Sequence, residues 1–198
     1  MSAMRYPAEH KADTRKKIVA AAARLFRERG YDGVGVDAIM NEVGLTAGGF
    51  YAHFPSKEAL FAEAVTAALG KGKALGRAKG AGADPKDALR ALINGYLSRS
   101  HRDMVGEGCP LPVLTPDVAR SDAATRESYE QQFLHYLGEI EALLPQVAAA
   151  SRDRALALMA QCVGGVMLAR AVNDEELSNR ILKSCRQAAR KICDLGGD

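Results

Sequence analysis

The residues best suited to chemistry lie in the stretch GLTAGGFYAHFPSKEAL, 44–60. Tyr51, His53 and Lys57 are hydrogen-bond donors spaced to reach a sugar-phosphate backbone. Ahead of them, Thr46 stands where a helix N-cap belongs, and Ala47, Gly48 and Gly49 leave the first turn almost bare. Two glycines there cost a helix about 1 kcal/mol each relative to alanine. They mark either a frayed corner or a place where backbone approaches another surface closely, such as base edges and phosphates. A helix N-terminus also attracts phosphate. Covalent chemistry finds no comparable support. There is no H-E-x-x-H, no G-x-S-x-G and no phosphate loop, and His10, His53, His101 and His135 lie far apart. No catalytic residue is assigned, and an enzyme is not expected. Cys109, Cys162, Cys185 and Cys193 form no C-x-x-C pair, so neither a metal nor a cofactor is expected and the cysteines are read as thiols.

Helical periodicity dominates the elements that must hold these residues, and no strand-like alternation of any length appears. Ile18, Ala21, Ala22, Leu25 and Phe26 predict a helix over 14–29, started by Asp13 or Thr14 and closed at Gly30. Val36, Ile39, Met40 and Val43 predict a second that stops at Gly44, and a third short helix runs from Thr46 to near Phe54. Two short helices joined through a glycine form a helix-turn-helix, whose second helix can enter a major groove. Pro55 breaks the chain and Ser56 caps a fourth helix. Residues 70–83 read as a connector, and Asp84-Pro85 opens the next helix. The segment 106–117 holds three prolines and is no long helix. Three stripes follow: Tyr129 to Leu144, then Leu156, Met159, Val163, Val166 and Met167, then Leu177, Ile181, Cys185, Ala188 and Ile192.

The net charge of the 198-residue chain is +3, too small to argue for nucleic acid alone. Its distribution says more, since Arg5, Lys11, Arg15, Lys16 and Lys17 make the N-terminal segment basic, as a phosphate-facing arm or a solvated face. No run approaches the roughly 18 apolar residues of a membrane span. The polar start lacks the apolar core of a signal peptide, which predicts a cytoplasmic protein without a membrane partner.

Residues 14–61, and most specifically 44–60, resemble the DNA-binding module of the TetR family of transcriptional regulators. The resemblance implies an all-α fold: a helix-turn-helix domain with a basic N-terminal arm over 1–56, and a helical ligand-binding and dimerisation domain over 57–198. Thr46, Ala47, Gly48 and Gly49 would lie at base edges, and Tyr51, His53 and Lys57 would contact phosphates. Phe50 and Phe54 would pack inward with Ile39, Val43 and Leu45. Two positions depart from the family pattern. Ala47 stands where a longer polar or basic side chain is common, and Gly35 where Ser or Thr often caps helix 2. Specificity would then lean on Arg5, Lys11, Thr46 or DNA shape.

The resemblance further implies a homodimer built on the last two helices, about 152–172 and 175–194, with Gly164 and Gly165 allowing close approach. The dimer would read a pseudo-palindromic double-stranded operator. A small-molecule effector would bind among the middle helices, with Tyr96, Met104, Cys109, Leu111, Phe133, Tyr136 and Met167 as candidate lining, and release a repressor from DNA. An activator, or a sensor acting through protein partners, is the alternative. Cys109, in a Gly-rich loop, is either a packed side chain or a thiol open to oxidants and electrophiles.

Overall fold

The computed structural model describes residues 6–70, 84–144 and 151–195, and every regular element among them is helical. Two compact units emerge. One comprises the described parts of Met1–Ala68 with Val113–Glu130, the other those of Leu69–Pro112 with Gln131–Asp198. Lys57–Ala68 therefore groups with the N-terminal unit, whereas the resemblance divides the chain at 56/57.

In the first unit, α1 (Tyr6–Arg29) leads to α2 (Val36–Glu42), a 3-10 helix (Ala47–Ala52) and α3 (Lys57–Gly70). Helix α1 begins well before residue 14, so Asp13 and Thr14 lie inside it and Lys11 sits on the helix rather than on an extended arm. Arg5 lies outside the described residues, as do 71–83 of the expected connector. Ile18, Phe26, Ile39, Met40, Phe50, Phe54 and Leu60 are at most 1% exposed and form the core. Val43 and Leu45, expected with them, are only half-buried. Phe26 meets Phe61 edge-on at 5.2 Å, and Phe50 stacks on Phe54 at 5.7 Å. Arg24 ties α1 to α2 by donating to Glu42 at 2.6 Å. The Ser56 hydroxyl caps α3 by accepting from the Ala59 N–H at 3.2 Å.

The remaining helices are α4 (Pro85–Tyr96), α5 (Arg99–Asp103), α6 (Leu111–Ala119), α7 (Ala123–Glu141), α8 (Ser151–Ala171) and α9 (Glu175–Ile192), with a 3-10 turn at Val105–Glu107. Asp84 caps α4 as its sequence predicts, accepting from the Lys86 N–H at 2.8 Å, with Pro85 in the first turn. The proline-rich segment does form a nine-residue helix, α6. Pro112 sits in its first turn, where no N–H is needed, and only Pro116 deletes an internal bond.

Helices α8 and α9 pack as a hairpin. Gly165 makes this possible, because a Cβ there would lie 2.8 Å from Cys185 Sγ. The Ser178 hydroxyl donates to the Ala169 carbonyl at 2.7 Å, and Arg154 reaches the Ile192 carbonyl at 2.9 Å. Against the expectation of no such run, α8 is long and apolar enough on average to cross a membrane. Alanines and glycines raise that average, Arg152, Asp153, Arg154 and Arg170 flank it, and Ala155, Leu158, Cys162 and Val166 pack into the core.

Candidate nucleic-acid interface

The turn between α2 and the 3-10 helix depends on Gly44, whose φ of +72° is strained for any residue with a Cβ. The Leu45 N–H returns to the Met40 carbonyl at 2.9 Å, and the Gly49 N–H to that of Thr46 at 3.0 Å. The third element is 3-10 rather than α, consistent with two glycines in so short a run. Thr46 has the extended backbone of an N-cap, yet its side chain makes no capping bond and is exposed. Gly35 likewise provides no side-chain cap to α2.

Phe50 anchors this segment to the core, and one residue on, Tyr51 is 72% exposed. Gly48 is exposed and Ala47 and Gly49 half-exposed, with open space where a Cβ on Gly48 would stand. The structure thus brings Thr46, Gly48 and Tyr51 to the surface of one short helix.

His53 and Lys57 are set differently. His53 is half-buried, and its Nδ1 is buried without a hydrogen-bond partner among the described residues. Burial, then the nearby Lys11 and Arg15 charges, hold its pKa below the ordinary value. Arg15 is itself paired with Glu63 and lies over the Phe54 ring, 4.3 Å from its centroid. Lys57 places its ammonium 4.0 Å from the centroid of the Tyr31 ring. Tyr31 is fixed in turn, its hydroxyl donating to Glu58 at 2.7 Å and its N–H to Asp117 at 3.1 Å. The hydroxyl's bond holds the Glu58 carboxyl below the usual range. Tyr31 is a positioning residue that the sequence does not single out, because it lies in the loop after α1 where no periodicity marks it.

The family description "Bacterial regulatory proteins, tetR family" matches residues 18–64, which contain this whole arrangement. The HTH-type transcriptional regulator LmrA of Bacillus subtilis is 28% identical over 165 residues, 79% of this chain and 86% of its own length. YxaF of the same organism, an uncharacterized HTH-type regulator, is 32% identical over 112 residues, 55% of this chain and 58% of its own. Among solved structures, a TetR regulator from Chloroflexus aurantiacus superposes with a TM-score of 0.72 at 25% identity, over 92% of this chain and 95% of that one. The reduced form of Escherichia coli NemR gives 0.75 at 18% identity, over 94% and 100%.

Over residues 18–64 the chain matches the TetR family. It is a transcriptional regulator with a DNA-binding helix-turn-helix, and its relatives are regulators rather than enzymes.

The seven residues expected to line an effector site all fall in the second unit. Of the seven candidate lining residues, Tyr96, Leu111 and Tyr136 are buried, and Cys109 and Phe133 are half-buried. Met104 is 53% exposed and Met167 38%, so neither is enclosed. Tyr96, Cys109 and Tyr136 are drawn together, each within electrostatic reach of the others. All four cysteines are free thiols, and burial pushes Cys193 up to about 11. A separate cleft of about 330 Å³ lies against α9, lined by Arg99, Arg180, Lys183, Arg186 and Glu176 among others, and contains none of the seven candidates.

The two C-terminal stripes turn out to mix faces. In α8, Met159 and Val166 are core, whereas Leu156 and Met167 are exposed beside Leu168, which is 60% exposed. In α9 the core face is Ser178, Leu182 and Ala189, while Leu177 is 42% exposed and Ile181, Ala188 and Ile192 are half-exposed. Gly164 has open space where a Cβ would project.

Proposed function

We propose that this TetR-family regulator is a cytoplasmic homodimeric repressor, released from a pseudo-palindromic operator when a small molecule binds its C-terminal unit. The observation that carries the ligand-responsive part is the grouping of buried Tyr96 and Tyr136 with half-buried Cys109, polar side chains from three separate segments. Polar groups in a helical core raise its cost unless they meet partners, and binding sites are where such costs recur. Dimerisation is supported by the apolar side chains that α8 and α9 leave uncovered, Leu156, Leu168 and Leu177 foremost. A two-fold pair of heads would read half-sites about 34–36 Å apart or a multiple of it.

On the DNA side, Thr46 to Gly49 lie against base edges, and Tyr51, His53 and Lys57 contact phosphates. An effector then acts only through a difference in its affinity for the DNA-fitting and DNA-misfitting arrangements.

The test is fluorescence anisotropy against the DNA flanking the protein's own gene, with competitor and a salt series, paired with sedimentation. The expected result is competitor-resistant binding that weakens steeply with salt, by a species of dimer mass. A monomer at micromolar concentration removes the dimer. Increased transcription from that promoter when the protein is added to a purified system removes the repressor.

A further inference from the structure

Three segments of the C-terminal unit are knotted around His101. Its Nδ1–H donates to the Tyr96 carbonyl at 2.6 Å, at the end of α4. Its Nε2 accepts the Cys109 N–H at 2.9 Å, which places the ring proton on Nδ1. The Tyr96 ring meets the imidazole at 4.6 Å. From the last turn of α8, Arg170 donates through Nη2 to the His101 carbonyl at 2.7 Å and through Nε to the Arg102 carbonyl at 2.9 Å. One histidine thus fixes Tyr96, Cys109 and Arg170 together.

Two buried donor groups are left over. Arg170 Nη1 has no hydrogen-bond partner among the described residues, and Tyr96 Oη, in a side chain only 1% exposed, makes no bond of normal geometry and faces only the weakly accepting Cys109 thiol. A buried donor without an acceptor suffers the full desolvation penalty of that group, and more when charged. The nearby carboxylate does not remove it. Asp103 is engaged by Arg102 through two bonds, at 2.6 and 3.2 Å. Burial, first, holds the Arg170 guanidinium below its ordinary pKa. Burial, then the Cys109 thiol, pushes the Tyr96 phenol well up, so it stays protonated and can donate.

The missing partner must accept hydrogen bonds from a phenol and a guanidinium and bring negative charge to an arginine that Asp103 reaches only through space. We infer that the effector is a small organic acid whose carboxylate accepts from Tyr96 Oη and Arg170 Nη1, with its apolar body toward Tyr136. This rests on the effector reading of the C-terminal unit and narrows it to a ligand class. Because Arg170 also holds the His101 and Arg102 carbonyls, an anion on Nη1 pulls on the same guanidinium that fixes the α4–α5 corner.

The experiment uses the full-length protein and matched pairs: benzoate, 2-naphthoate and octanoate, each beside its primary amide. Calorimetry and thermal shift measure binding, and anisotropy measures release of DNA. The expected result is at least one acid that binds one per subunit and releases DNA, with its amide at least about tenfold weaker. Tyr96→Phe and Arg170→Gln are each expected to lower the acid's affinity about tenfold or more. Arg170→Gln also loses two bonds to backbone and can unfold the corner. Tyr96→Phe removes only a hydroxyl whose nearest partner is the weakly accepting Cys109 thiol, so its fold is retained and the test survives. A merely structural hydroxyl would leave acid affinity unchanged in Tyr96→Phe, which overturns the inference. Release of DNA by neutral compounds but by none of the acids overturns the acid class and leaves the effector reading standing. If neither series binds nor releases DNA, both fall.

Discussion

Among the described tyrosine side chains, Tyr51 and Tyr96 differ most: one is 72% exposed, the other 1%. In the head, Phe50 fills the core and pushes its neighbour Tyr51 outward, so the polar tip costs nothing to hold in water. In the C-terminal unit, Tyr96 lies among Cys109, Tyr136 and Arg170, and its buried tip faces only the weakly accepting Cys109 thiol. Both units carry surface arginine–carboxylate pairs, Arg152–Glu141 and Arg154–Asp194 among them in the second, but certain arginines differ. Arg15 and Arg24 pair with carboxylates near the surface, whereas Arg102, Arg170 and Arg186 reach inward to Ser178 and to the carbonyls of residues 101, 102 and 97. A surface that meets DNA displays its donors and needs only a rigid base beneath them. The C-terminal unit instead hides donors, and its packing must tolerate polar groups.

The largest effect should come from the rigid base. Phe50→Ala removes a side chain that stacks on Phe54 at 5.7 Å and is 0% exposed. Such truncations cost about 3–5 kcal/mol. Urea unfolding should show that loss, and operator binding should vanish with it. A loss under about 1 kcal/mol would mean the head is not held as described.

Neighbouring glycines in α8 sharpen the comparison on the other side. Gly165→Val places carbon within 3.0 Å of Cys185 and Leu97 and should cost about 1–3 kcal/mol by overpacking. Gly164→Ala meets open space and should be neutral or gain up to about 1 kcal/mol from helix propensity. Equal costs for the two, measured by urea unfolding, would break the distinction between the covered and uncovered faces of this helix.

These contrasts also explain what was legible in the sequence. The head could be read because each of its signals is local. Gly44 needs a positive φ, Ser56 caps the next helix, and Phe50 and Phe54 follow the helical period. The start of α1 was not legible, since a polar first turn carries no apolar stripe to mark it. In the C-terminal helices, apolar residues occupy more than one face, so periodicity alone groups Leu156 and Met167 with core residues although both are exposed. Arg170 escaped notice for a related reason. A basic residue in the last turn of a helix is common, and only the tertiary fold shows it bonded to residues 101 and 102. Tyr96, Cys109 and Tyr136 were found by apolar or loop position, but their convergence depends on three segments and has no local signature.

Effects on DNA binding should be smaller than the Phe50 truncation and separable from stability. Lys57→Met removes the ammonium over Tyr31 and should lower the salt slope of operator binding by about 1, with roughly tenfold weaker affinity at low salt. Tyr51→Phe deletes an exposed hydroxyl and should leave stability within about 0.5 kcal/mol. Its loss of affinity should be similar across operator variants, as for a phosphate contact. A Lys57→Met protein with an unchanged salt slope would show that this ammonium serves only the Tyr31 ring.

The smallest effect sits where the two styles meet, at His53, a half-buried donor in the otherwise outward-facing set. Burial and the Lys11 and Arg15 charges lower its pKa in the folded chain, whereas the unfolded residue titrates near about 6.5. The unfolded state therefore binds the proton more readily. Its contribution to stability is complete above the unfolded pKa and is lost as pH falls from there toward the lower folded value. Urea midpoints between pH 8 and 5 should decline more in the parent than in His53→Gln. Operator binding should carry the opposite sign. A phosphate beside His53 favours the protonated ring, so binding takes up a proton and tightens as pH falls through the same window. If His53→Gln flattens the stability profile but leaves the pH dependence of DNA binding untouched, His53 belongs with the buried groups of the core rather than with Tyr51 and Lys57 at the interface.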